Sequence, residues 1–177
     1  MTSEFDYLLT YYLGEICMFF ITMGILKTEV DEMNQEIIGA VNKQVANWTV
    51  LYEKLHHYHW YVKGHHFFGL HGKFEEFYNE ANDHIDELAE RILSIGGSPV
   101  STLKECLEIA SIKEAKGNET EEEMVRETIS DFQTLIQELQ SAMDIADSAN
   151  DQGTSDMLLS IMGGLQKHVW MLNAYMG

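Results

Sequence analysis

Apolar side chains recur along this chain at steps of four and three, the repeat that lays a stripe along one side of an α-helix. The first stripe is Val41, Val45, Trp48, Tyr52, Leu55, His59 and Val62. It predicts a helix over 37–62 with a histidine at one apolar position. The second, Phe67, Leu70, Phe74, Phe77, Ala81, Ile85, Leu88 and Ile92, predicts a helix over 67–95. Val125, Ile129, Phe132, Ile136, Leu139, Met143 and Ala146 form a third, and Leu158, Ile161, Leu165, His168, Leu172 and Tyr175 a fourth. The breaks between stripes are chemically marked. Lys63-Gly64-His65-His66 turns the chain, Gly96-Gly97 with Pro99 stops the second helix, and Asp147 to Gly153 makes the last turn.

Thr102-x-x-Glu105 and Thr120-x-x-Glu123 read as capping boxes. The first predicts a short helix over 102–110; the second starts the third long helix. The connection from Gly96 to Asn118, roughly 20 residues, is too long for a hairpin between antiparallel neighbours. A crossover follows, with the second and third long helices parallel. Residues 37–177 are therefore expected to form an all-α, ferritin-like four-helix bundle with a short extra helix in the crossover.

Residues 1–36 are an atypical apolar N-terminal extension. Tyr7 to Leu26 is nearly apolar and about long enough to span a bilayer, but it contains Glu15 and is flanked by Glu4, Asp6, Glu29, Asp31 and Glu32. A secretory signal needs a basic start and a small-residue cleavage site, and neither is present. Three readings stay open: an upstream start codon with Met33 the functional start, a helix or strap packed on the domain, and a membrane anchor.

The second helix has another face. At ~100° per residue, His71, Glu75, Asp86 and Glu90 fall at roughly 0°, 40°, 60° and 100°, apart from the apolar stripe centred near ~280°. On an acidic chain such a row is ordinarily a solvated face. A metal reading meets a distance problem: the 11 residues from Glu75 to Asp86 span about 16 Å, whereas metal–ligand bonds are near ~2 Å. A second copy laid antiparallel across a twofold axis near residues 80 and 81 removes it. His71 and Glu75 of one chain then meet Asp86 and Glu90 of the other, twice over. The small or polar Asn79, Ala81 and Asn82 would let the helices approach. His59 lies at the same end of the hairpin as His71, which adds it to the constellation; taken alone it reads as a core histidine satisfied by one hydrogen bond. His168 reads as a core or interface histidine.

The formal net charge is −18 and the pI about 4.6, which makes phosphate backbones and anionic membranes poor partners and cations natural ones. Cys17 and Cys106 are too few for a disulfide framework, and a reducing cytoplasm is the simplest location. Six of the 8 histidines lie between His56 and His71, and imidazoles beside carboxylates suit first-row transition metals better than calcium or magnesium. No phosphate loop, nucleophile elbow or basic recognition helix occurs. The one Glu-x-x-His, Glu53 to His56, leaves open a di-iron oxidase inside the bundle, although that site needs a second copy of the motif.

The run His59-Trp-Tyr-Val-Lys-Gly-His-His-Phe-Phe-Gly-Leu-His71, followed by Lys73-Phe-Glu-Glu-Phe-Tyr78, Asp86-Glu-Leu-Ala-Glu-Arg91 and Ile92-Leu-Ser-Ile-Gly-Gly97, resembles the Dps family of bacterial mini-ferritins. The likeness extends from about Met33 to the end and includes His168-Val-Trp-Met-Leu172. It implies a twelve-subunit hollow shell that oxidises Fe(II), preferentially with hydrogen peroxide, and stores ferric mineral. It also implies intersubunit ferroxidase ligands at His59, His71, Glu75, Asp86 and Glu90, with at most two irons per site. Asp86 and Glu90 with His59 would hold the tighter iron, and His71 with Glu75 a weaker second iron or a bridging water. Trp60 reads equally as a residue near the iron and as a structural tryptophan.

Three positions depart from the family pattern. Glu75 stands where Asp is common, Gly72 where Glu is common, and Gly64-His65-His66 replaces Gly-Pro-His. A non-enzymatic metal-binding shell with a degraded site is the competing expectation. DNA binding in some members is associated with a Lys-rich tail; the first 32 residues here hold one Lys and several acids, so no direct DNA binding is expected. Asp151 and Asp156 read either as acids near a cation entry pore or as helix-start acids that favour the dipole.

Overall fold

The computed structural model describes the backbone of residues 2–177 and side chains from Val30 onward. Five helices follow one another: α1 (Thr2–Tyr61), α2 (Phe67–Ser94), α3 (Leu103–Ile109), α4 (Glu121–Ser148) and α5 (Gln152–Met176). α1 packs on α2 and α4 on α5 as two hairpins, α1 joins them by packing on α4, and α3 lies against α1. Together they make an all-α, ferritin-like four-helix bundle. The apolar stretch of residues 7–26, and with it the choice among strap, anchor and upstream start, lies outside the described side chains. No helix break falls at residue 36; among the described side chains, Val30 is 58% exposed and Ile37 4%.

The stripes pack as their spacing requires. Val41, Val45, Trp48, Leu55, Leu70, Phe74, Phe77, Leu88, Val125, Phe132, Leu139, Leu158 and Leu165 are buried in one continuous core. Burying each large apolar side chain stabilises the fold by roughly 1.5–3 kcal/mol. Gly69 and Gly72, early in α2, cost up to ~1 kcal/mol each, so Leu70, Phe74 and Phe77 outweigh them. Ala81 is also buried in this core. It faces its own bundle, not a helix crossing, which leaves only the exposed Asn79 and Asn82 of the expected trio at the surface.

Both capping boxes form, at Thr102 with Glu105 and at Thr120 with Glu123. The C-terminus of α2 closes as a Schellman motif: Gly97 N–H donates to the Ile92 carbonyl at 2.8 Å and Gly96 N–H to that of Leu93 at 3.0 Å. Gly96 takes φ 83°, the left-handed region. A Cβ on Gly97 would strike Ile38 and Ile92, so the second glycine serves close packing. Two asparagines of α1 then pin the crossover. Asn42 accepts from Val100 N–H at 2.7 Å, and Asn47 accepts from Ser111 N–H at 2.8 Å while donating to Glu138 at 2.6 Å.

One buried charge sits between α1 and α4. Lys54 Nζ lies 2.7 Å from Asp131 and 3.2 Å from Glu127, and the Tyr58 hydroxyl donates to Glu127 at 3.1 Å. Burial pushes the Asp131 carboxyl above its ordinary value against the pull of Lys54. A paired buried charge of this kind does little for net stability, but removing one partner would strand the other.

Candidate metal centre

The α1–α2 hairpin sets the geometry. Its turn uses Gly64 at φ 125°, where a Cβ would collide with the Glu121 carboxylate. The last turn of α1 thereby lies against the first turns of α2, and His59 meets His71. Their rings stack at 3.7 Å with 21° between planes. Each Nδ1 reaches the other residue's backbone carbonyl, both at 2.8 Å. A carbonyl oxygen only accepts, so both Nδ1 atoms must carry the proton. In the neutral rings both Nε2 atoms are then bare lone pairs, the form in which imidazole binds a metal, with its orientation set by the second bond. The half-buried His59 thus has its one satisfying hydrogen bond without using the nitrogen a metal would need.

Glu75 stands one turn further along α2, exposed, with the Tyr78 hydroxyl 3.4 Å from Oε1. Asp86 and Glu90 are exposed on later turns. The ion pairs of α2 engage Glu76, Glu80, Glu87 and Arg91, and leave Glu75, Asp86 and Glu90 aside. Among the described residues, no group of three or more His, Cys, Asp or Glu side chains converges as one metal ion would require. One chain therefore brings His59 and His71 together, keeps Glu75 nearby, and leaves Asp86 and Glu90 along the helix.

Other candidates resolve differently. Glu53 is exposed, and His56 turns its Nδ1 to the Tyr52 carbonyl at 3.0 Å and stacks on Tyr78, so this Glu-x-x-His does not face the bundle core. Trp60 is 60% exposed and leans on His56 at 5.2 Å, outside the core. Asp151 caps α5, accepting from Thr154 N–H at 3.1 Å, and pairs with Arg91 at 2.5 Å, which makes it a helix-start acid. Asp156 is exposed and accepts from Gln152 at 3.2 Å. Cys106 is buried and free; Cys17 lies outside the described side chains. From Val30 onward, where side chains are described, no helix is long and apolar enough to cross a membrane.

His168 donates Nε2–H to Glu80 at 2.7 Å, joining α5 to α2, and His84 stands 3.5 Å from the same carboxylate. Sequence periodicity singled out His168 but not Glu80 or His84, because polar partners across helices leave no regular spacing.

The fold is that of a ferritin-like protein, and the ferritin-like domain family model matches residues 38–177. General stress protein 20U of Bacillus subtilis is 58% identical over 82% of this chain and 100% of its own length. A DNA protection during starvation protein of Brevibacillus brevis is 55% identical over 85% of this chain and 99% of its own. The crystal structure of a Dps protein from Bacillus brevis superimposes with a TM-score of 0.82 at 56% identity, covering 82% of this chain and 98% of that one. The chain belongs to the Dps family of ferritin-like proteins.

Burial alone would raise the Glu80 carboxyl, but the hydrogen bond from His168 and then the nearby His84 imidazole outweigh it and hold it at about 2, below the ordinary 4.5. A folded-state value below the unfolded one means that this contribution is complete above pH ~4.5 and drains away as pH falls toward ~2. Glu80→Gln should therefore flatten the loss of stability across that window, measured by denaturant midpoints at fixed protomer concentration. An unchanged slope would contradict the assignment.

Proposed function

We propose that the protein is a ferroxidase and iron store, binding Fe(II) at centres shared by two protomers and oxidising it preferentially with hydrogen peroxide. Ferric mineral then collects inside a hollow cytoplasmic shell of twelve chains. The observation that carries this reading is the stacked His59–His71 pair, with two bare Nε2 atoms at one end of a helix whose Glu75, Asp86 and Glu90 take no part in its ion pairs. Imidazole with carboxylate is a donor set for first-row metals, and a set with open positions suits redox exchange better than a closed structural zinc site.

In this reading Asp86 and Glu90 of one protomer join His59 of the other around the tighter iron. His71 and Glu75 hold a second, weaker iron or a bridging water. Two Fe(II) ions each give one electron, the peroxide O–O bond breaks, and two protons complete two waters: 2 Fe(II) + H2O2 + 2 H+ gives 2 Fe(III) + 2 H2O. The carboxylates offset the charge gained by the metal, and the Nδ1–H bonds to backbone carbonyls keep both imidazoles in the ligating tautomer. Consuming ferrous iron and peroxide together suppresses hydroxyl-radical chemistry, which accords with the protective role in the names of the relatives.

Assembly into a homo-oligomer has its own support. Phe68 is 90% exposed on the single chain, and Leu103, Leu107 and Trp170 are also exposed. Apolar side chains left in the open on a strongly acidic surface are those that association would cover.

Anaerobic Fe(II) loading followed by peroxide should give rapid ferric absorbance in the wild type, lost in His59→Ala with Asp86→Ala. Binding without oxidation would instead favour the non-enzymatic shell, and loss only in Glu53→Ala with His56→Ala would favour the in-bundle oxidase. With a net charge of −18, the protein should leave DNA unshifted in a low-salt gel at neutral pH. Shifted DNA at stoichiometric protein would overturn that expectation.

A further inference from the structure

Tyr78 lies about one turn beyond Glu75 on α2, and its hydroxyl donates to Glu75 Oε1 at 3.4 Å. A tyrosine on a helix surface is ordinarily free to swing away from such a neighbour. This ring is held on three sides. It stacks on His56 at 3.8 Å and 20°, meets His59 edge-on at 5.4 Å and 89°, and meets Tyr52 at 6.3 Å and 83°. His56 is itself fixed, by its 3.0 Å bond to the Tyr52 carbonyl and by contact with Trp60. α1 thus supplies a rigid aromatic seat for one side chain of α2.

The carboxylate that Tyr78 touches has the most freedom to lose. Glu75 is exposed, it takes no part in the ion pairs of α2, and fixing a glutamate side chain costs up to ~2 kcal/mol of rotamer entropy. A seated hydroxyl can hold one carboxylate oxygen and leave the other for a ligand, which is how partners of metal ligands act in general.

We infer that Tyr78 is a positioning residue for the weaker iron: its hydroxyl, seated by His56 and His59, holds the Glu75 carboxylate in its metal-binding pose. The inference rests on the proposed role of Glu75 as an iron ligand. It accounts for how a side chain one methylene longer than aspartate serves there, because the added reach brings the carboxylate to the hydroxyl.

Anaerobic calorimetric titration of the assembled protein with Fe(II) tests it. The wild type should bind two classes of iron, the tighter dependent on His59 and Asp86 and the weaker on His71 and Glu75. Tyr78→Phe keeps the ring and removes the hydroxyl; it should weaken only the weaker class, by roughly tenfold, the lower end of the usual range for such partners. Glu75→Asp should weaken the same class, and adding Tyr78→Phe to it should cost nothing further. A merely structural role would lower the unfolding temperature and leave both classes intact. Wild-type affinities in Tyr78→Phe, or equal losses on both backgrounds, would overturn this inference alone, whereas a wild type lacking the His59- and Asp86-dependent iron would sink both it and the proposed function. Should Tyr78→Phe fail to assemble, Zn(II) decides. As the weaker class fills, wild-type protein should show a near-ultraviolet tyrosine difference spectrum that Glu75→Asp lacks, and a silent wild-type spectrum overturns the inference.

Discussion

A straight helix holds its side chains at fixed intervals, and that rigidity governs everything proposed for this protein. Glu75 and Asp86 cannot approach one another on α2, whose 28 residues run without a break. The fold adds stiffness. Leu70, Phe74, Phe77, Leu88 and Ile92 lock one side of α2 into the core, so the opposite side cannot bend to gather ligands. A polar face that is rigid and too long for one ion becomes useful only when a second such face is laid against it. Twofold symmetry supplies that face without any further sequence.

The reciprocal bonds between His59 and His71 answer a different requirement. A metal-binding imidazole needs a defined tautomer and a fixed ring plane. Here each histidine obtains both from the other's backbone, at 2.8 Å in each direction. The cost of ordering the two half-buried rings is met when the hairpin folds, before any iron arrives. The Gly64 turn is part of the same device, since it sets how closely the end of α1 approaches the start of α2.

Much of this fold is legible in the sequence because it follows from local rules. Capping boxes at Thr102 and Thr120 and the stop at Gly96-Gly97 act within a few residues, and they form where the spacing places them. The stripes locate most of the core. They miss Met124, Thr128, Leu135 and Ala142, which are buried because α4 is covered over a wider arc than a single stripe. Lys54 with Asp131 and Glu127 is invisible to hydropathy, since a buried lysine reads as a surface one until its partners are known. A residue as small as Ala81 suits a helix crossing, but size alone does not tell an inward from an outward position, and Ala81 is buried in its own bundle. At the candidate centre the residue types and helical spacing are readable. The locking of His59 and His71 is not, because the acceptors are backbone carbonyls that no side-chain pattern records, and the seat of Tyr78 depends on contacts from another helix.

The most direct test of shared centres uses two defective chains. One carries His59→Ala, His71→Ala and Glu75→Ala, the other Asp86→Ala and Glu90→Ala, and each alone should assemble without ferroxidase activity. Co-assembled at random in equal amounts, half of the twofold pairs are mixed, and each mixed pair rebuilds one intact centre of its two. About a quarter of the wild-type centres should then return, read as peroxide-dependent ferric absorbance per shell. Mixed shells as inactive as either parent would contradict the account, because each centre would then draw its ligands from a single protomer.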